Sequence, residues 1–204
     1  MTPEHNFMHP GLAEPRTKEE WRGYLAMLPP RRPVLPPHGT YKDMSEDQRE
    51  EFDEQRHEHH SSLVIVRTEQ MKKIHRTIDR RMRVNARQAP GARRGIVLDG
   101  HATIGKSTLV KFFAADHERR LRRRHPERFK ARYIVENNIV DYIPVVYLNI
   151  PSQATPKDLS TQLAEYLGVH YRTGSTKNAL TVRVLEEMRL CGTELVIIDF
   201  TDRG

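Results

Sequence analysis

Apolar residues return along this chain in two patterns, at intervals of three or four and in short unbroken runs, and these patterns set out an order of elements. Thr17 and Glu20 have the spacing of a capping box, and Trp21, Tyr24, Leu25 and Leu28 then recur at helical intervals up to Pro29-Pro30. A short amphipathic helix is predicted there. Pro29 to Pro37, with Arg31-Arg32, reads as an extended arm without a core of its own. Ser45 is placed to cap a second, highly charged helix reaching about His60, with little to bury beyond Met44 and Phe52. Leu63 to Arg87 predicts a long helix, because Val64, Met71, Ile74, Ile78 and Met82 form one stripe while Lys and Arg crowd the other face. Ala89-Pro90-Gly91 ends it.

The unbroken runs come next. Gly95-Ile96-Val97-Leu98-Asp99 predicts a first core strand, Ile143 to Ile150 a second and Glu194 to Phe200 a third. Between them, one helix is expected through Leu109, Phe112 and Phe113 toward Arg124, where Pro126 interrupts it. Another starts at Thr155-Pro156-Lys157-Asp158, carries Leu159, Leu163 and Leu167 on one face, and closes at Gly168. A third spans Asn178 to Leu190 and is closed by Gly192. Apolar strands alternating with helices describe an α/β fold with a parallel sheet covered on both sides. The expected organisation is a helical and proline-rich N-terminal extension over residues 1–62 and an α/β domain over 63–204.

Charge adds partners to this picture. The 204 residues carry a net charge of +7, with acidic residues gathered in Asp43 to Glu58 and basic ones in Lys72 to Arg94 and Arg119 to Arg132. Two basic stripes favour contact with DNA or another polyanion; for the run Arg119 to Arg124, with Arg128, Lys130 and Arg132, a solvated helix face is the plain alternative. The longest apolar runs fall far short of a bilayer crossing, and Met1 to Pro15 lacks the basic start and apolar stretch of a secretory signal, so a cytoplasmic protein without membrane contact is expected. Cys191 reads as a small packed thiol. His57, His59 and His60 do not share one helix face, and no Cys or carboxylate spacing completes a metal site with them.

The strongest chemical signal is Gly100-His101-Ala102-Thr103-Ile104-Gly105-Lys106-Ser107, which fits G-x-x-x-x-G-K-[ST] at every fixed position, between an expected strand and an expected helix. In such a loop the glycines let backbone N–H groups turn inward onto phosphates, and the helix N-terminus adds its positive end. Lys106 would hold the β- and γ-phosphates, Ser107 would ligate Mg²⁺, and Thr108 would back the same turn; His101 and Thr103 are spacers. Leu195-Val196-Ile197-Ile198-Asp199 has the form of a Walker B strand, whose terminal aspartate faces the Mg²⁺ of the nucleotide. Hydrolysis normally needs a carboxylate at the next position, where this chain has Phe200; Asp202 lies beyond the strand.

The basic lead-in helix, GIVLDGHATIGKSTLVKFF, PVVYLNIPSQATPKDLSTQLAEYLGV and ELVIID together resemble AAA+ ATPases of the TniB type over about Leu63 to Asp199. The resemblance implies a P-loop NTPase three-layer αβα sandwich with a parallel sheet, ATP with Mg²⁺ as cofactors, and metal contacts from Ser107 and Asp199. It also implies ATP-dependent assembly on DNA, recruitment of a transposase, and self-association into a homo-oligomer. Relatives carry an acidic residue in place of Phe200, followed by a polar sensor, an arginine finger and a helical lid. The expectation is therefore a truncated, incomplete AAA+ core with impaired hydrolysis. In the AAA+ strand order 5-1-4-3-2, a chain ending after its third strand either pairs Ile96 to Asp99 directly with Leu195 to Asp199 or leaves backbone groups exposed at the sheet centre. An interaction module that binds DNA or protein without nucleotide is the competing expectation.

Overall fold

The computed structural model describes residues 14–26, 33–61, 67–89, 91–130, 133–135, 138–171 and 177–201. Parts of the expected features lie outside the described residues: Pro29 to Arg32 of the arm, Leu63 to Val66 of the long helix, Pro90, Arg132 and Asp202. In chain order the elements are α1 (Lys18–Ala26), α2 (His38–Asp43), α3 (Glu46–Ser61), α4 (Glu69–Ala86), α5 (Lys106–Arg124), α6 (Glu127–Lys130), β1 (Tyr133–Val135), β2 (Asn138–Val140), β3 (Val145–Pro151), α7 (Pro156–Leu167), α8 (Lys177–Leu190) and β4 (Leu195–Thr201). They fall into two compact units, one holding the described residues up to Ala26 together with those from Gln70 onward, the other Met27–Glu69.

The smaller unit is the helix pair α2 and α3. Ser45 caps α3 as its spacing suggested, accepting from the backbone N–H of Gln48 (3.3 Å) while the Gln48 side chain accepts from the Ser45 N–H (3.0 Å). The two helices meet where the Tyr41 hydroxyl donates to Asp53 (2.8 Å) and its ring meets Phe52 edge-on. That hydroxyl bond, with Arg56 alongside, holds the Asp53 carboxyl below its ordinary range.

In the larger unit the order of the sheet follows from its backbone bonds. β3 and β4 pair in parallel, with Val145 opposite Leu195 and Asn149 opposite Asp199. Their start is pinned by the Pro144 carbonyl, which accepts from the N–H groups of Glu194 (2.9 Å) and Leu195 (3.0 Å), and by Thr193 Oγ1 donating to the Ile143 carbonyl (2.9 Å). A parallel pair needs a long crossover, and α7 with α8 supplies it. Helix α7 starts on the reciprocal cap of Thr155 and Asp158 with Pro156 in its first turn, and it ends at Gly168. The strands β1 and β2 form a separate antiparallel pair.

The core gathers on β3. Val145, Val146, Tyr147, Leu148 and Ile150 are all buried, as are Ala114 and Ala115 of α5, Ala164, Tyr166 and Leu167 of α7, and Leu180 and Val184 of α8. Helix α1 joins this core although the sequence grouped it with the N-terminal extension. Trp21, 2% exposed, stacks on Tyr147 at 5.8 Å between ring centroids, and its indole N–H donates to the buried Glu118 (2.8 Å). Arg122 answers that carboxylate from one turn along α5 (2.7 Å), so the buried charge is paired. Cys191 is the packed thiol expected, and burial, with Glu187 nearby, pushes it up to about 12.

The sheet corrects one expectation. Residues 95–99 form no strand; the segment is irregular, and Val97 is 90% exposed. A β-strand draws its hydrogen bonds from neighbours rather than from itself. Among the described residues β4 pairs with β3 alone, and no strand is in register to hold 95–99. The parallel sheet among the described residues thus has two strands, and of the two outcomes foreseen for Ile96 to Asp99, direct pairing with Leu195 to Asp199 does not occur. On β4 the side chains of Val196, Ile198 and Phe200 remain exposed.

Trp21→Ala removes a buried indole and one partner of Glu118, so chemical denaturation should show a loss of about 3–5 kcal/mol. Val196→Lys, which puts a charge on the exposed face of β4, should leave that stability within about 0.5 kcal/mol in the same measurement.

Candidate functional site

At the loop from Gly100 to Thr108 the expected helix starts at Lys106, while the segment before the loop, residues 95–99, is not a strand. Gly105 sits at φ 86° as the residue before α5, a left-handed conformation that glycine adopts without strain. Gly100 stands at φ 154°, a backbone conformation that residues with a side chain rarely adopt, so the turn favours a glycine there too. No side chain caps α5, and the first N–H groups of the helix, from Lys106, Ser107 and Thr108, have no intrahelical partners. His101, Ala102, Thr103 and Ile104 are exposed around the turn, and Thr103 (φ 66°) shares its left-handed geometry.

Lys106 folds back over this loop. Its ammonium donates to the carbonyls of Gly100 (2.6 Å) and His101 (2.8 Å), so the cation is held in the curve where an anion would meet it. An ammonium beside the uncapped N–H groups of a helix N-terminus is a donor set suited to phosphate. Ser107 offers a hydroxyl one residue on, half-buried, of the hard-oxygen type that Mg²⁺ takes.

Asp199 lies toward the far end of β4, and its immediate partner is unexpected. The Tyr147 hydroxyl is 2.7 Å from Asp199 Oδ2 and 3.0 Å from Glu14 Oε2, while Glu14 Oε1 pairs with Lys111 of α5. Two carboxylates therefore share one hydroxyl proton, with one ammonium beside them. Tyr147 is fully buried, and burial, then the Asp199 carboxylate, raises the phenol well above its ordinary range. Burial pushes Glu14 upward, but its bonds to Lys111 and Tyr147 outweigh that and hold it below the usual carboxylate range. Asp199 is held by Tyr147 and Lys106 by its own loop, so among the described residues no hydrogen bond joins the two. Phe200, next along the strand, is 61% exposed.

Sequence reading did not single out Glu14, Lys111 or Tyr147. A signal for Tyr147 was present, since a tyrosine inside a wholly apolar strand needs a partner for its hydroxyl. Glu14 and Lys111 carried none.

The two basic stripes differ. In the second, Arg119 donates to the Leu25 carbonyl (3.1 Å), Arg120 lies between Asp79 (3.5 Å) and Asp116 (3.6 Å), and Arg122 pairs with Glu118 and lies over the Phe129 ring (4.3 Å). Much of that charge is spent inside the fold. In the first, Arg76, Arg80 and Arg83 of α4 and Arg87 just past its end recur at helical spacing and line one open, exposed groove with Asp79 and Val84. The opposite side of α4 buries Met71 and Ile78, and His75 packs on Phe112 and Phe113 of α5.

No helix among the described residues is long and apolar enough to cross a membrane. Those residues contain no group of three His, Cys, Asp or Glu side chains arranged to hold a metal ion. No curated protein matches the chain. Residues 56–203, most of the chain, match the family model described as bacterial TniB protein, so the chain belongs to the TniB family and is a transposition-associated P-loop ATPase-like protein.

Proposed function

We propose that this chain binds Mg·ATP at the Gly100 to Thr108 loop as an AAA+ helper of transposition that assembles on DNA. The observation that carries the reading is the loop itself, with Gly105 in its left-handed turn, uncapped N–H groups at the start of α5, and Lys106 poised over the curve. In this reading Lys106 exchanges its carbonyl partners for the β- and γ-phosphates, Ser107 ligates Mg²⁺, and Asp199 contacts the metal directly or through water. The metal would neutralise phosphate charge and fix the phosphate chain. The three-layer αβα sandwich, cytoplasmic location, self-association and a transposase partner belong to the same reading. Turnover is impaired, because an exposed Phe200 follows Asp199 where a base for the attacking water is expected.

A second reading has an observation of its own. The row Arg76, Arg80, Arg83 and Arg87 presents four guanidinium groups along one side of α4, a geometry suited to successive backbone phosphates. On that basis the chain would bind DNA as a nucleotide-independent interaction module.

Calorimetric titration with Mg·ATP separates the two. Under the first reading Lys106→Ala weakens binding by about 10- to 150-fold, the cost of roughly 1.5–3 kcal/mol for a lost charged bond. Little phosphate is released by either protein. A folded wild-type chain without saturable ATP binding would sink the first reading. For DNA, Arg80→Ala with Arg83→Ala should flatten the slope of log K against log salt by about two, at roughly one per phosphate contact. An unchanged slope would remove α4 from the interface. DNA binding indifferent to ATP and to Lys106→Ala would favour the interaction module.

A further inference from the structure

Tyr147 is gripped at both ends by one short N-terminal segment. Trp21 of α1 stacks on its ring, and Glu14, seven residues earlier, reaches its hydroxyl. Between them, the Arg16 N–H donates to Glu20 (2.6 Å) and the Glu20 N–H donates to Thr17 Oγ1 (3.1 Å), which fixes the turn leading into α1. The position of Glu14 is thus set by a docked helix. On the other side, the parallel register puts Asp199 opposite Asn149, two residues beyond Tyr147, so the hydroxyl reaches Asp199 on the diagonal.

We propose that Glu14 is a positioning residue for Asp199, acting through the Tyr147 hydroxyl, so that the N-terminal segment governs how the Asp199 carboxylate meets the Mg²⁺ of a bound nucleotide. The argument is one of proton supply and charge. A phenol has one proton to give, so when Glu14 accepts it Asp199 is released, and when Asp199 accepts it Glu14 leans on Lys111. Lys111 balances one of the two carboxylates, and the surplus negative charge is what a divalent cation at Asp199 would meet. Glu14→Gln keeps the shape, removes that surplus and leaves Lys111 facing an amide. The metal part of the proposal rests on the nucleotide reading above; the positioning of Asp199 does not.

The full chain tests both parts. Without nucleotide, a double-mutant cycle of Glu14→Gln and Asp199→Asn, read by chemical denaturation, should be non-additive by about threefold or more in the folding equilibrium. That coupling should vanish in a Tyr147→Phe background. Additive effects, or coupling that persists without the hydroxyl, overturn the proposal. With nucleotide, Glu14→Gln should raise the free Mg²⁺ needed for half-maximal ATP binding by about three- to tenfold, leaving ATP binding in chelator unchanged. A wild-type chain that binds Mg·ATP, paired with a Glu14→Gln variant of identical Mg²⁺ dependence, overturns the link to the metal. Coupling in the cycle together with no ATP binding by the wild type supports the positioning role and overturns the nucleotide reading.

Discussion

The larger unit depends on one strand whose two faces are both out of water. Five side chains of β3 are buried in near succession, so its backbone groups have no solvent to turn to and must be paired by protein. β4 meets that demand along one edge, and the Tyr166 hydroxyl donates to the Val145 carbonyl (3.3 Å) inside the core. Register matters here beyond stability. A slip of one residue would turn every side chain of the slipped strand to the other face and take Tyr147 away from Asp199. The bonds at Pro144 and Thr193 that fix the start of the pair therefore fix the place of the Asp199 carboxylate as well.

The features legible from sequence were those settled within a few residues. Thr17 with Glu20, Ser45 at the head of its helix and Thr155 with Asp158 were cap signals within a few residues, and the structure shows each cap, that of Ser45 closing on Gln48. The apolar runs of β3 and β4 were equally plain, because both lie against a neighbouring strand. Residues 95–99 have the same composition yet no such neighbour, and a periodicity argument carries no information about the partner a strand needs. At the Gly100 to Thr108 loop the helix that follows was legible, while the strand expected before it does not form. The cluster on Tyr147 was not, since Glu14 and Asp199 reach it from 133 and 52 residues away.

Charge taught a related lesson. The run Arg119 to Arg124 looked like the denser basic surface, but Arg119, Arg120 and Arg122 turn inward to a helix-end carbonyl, to Asp79 and Asp116, and to Glu118. Arg76, Arg80 and Arg83 of α4 lie on an exposed side, opposite the buried Met71 and Ile78. Which basic residues are available to a partner is decided by where the acids and the apolar stripe fall, and a count of positive charge does not contain that.

Lys106 closes its own loop by donating to two of that loop's carbonyls. An arriving anion does not find a waiting cation; it has to outbid two short hydrogen bonds already in place. A singly charged ion offers little more than those carbonyls do, whereas a chain of phosphates can take the ammonium and the N–H groups of α5 together. On the proposed nucleotide reading, that exchange would favour ligands that bring several negative oxygens at once over dilute simple anions.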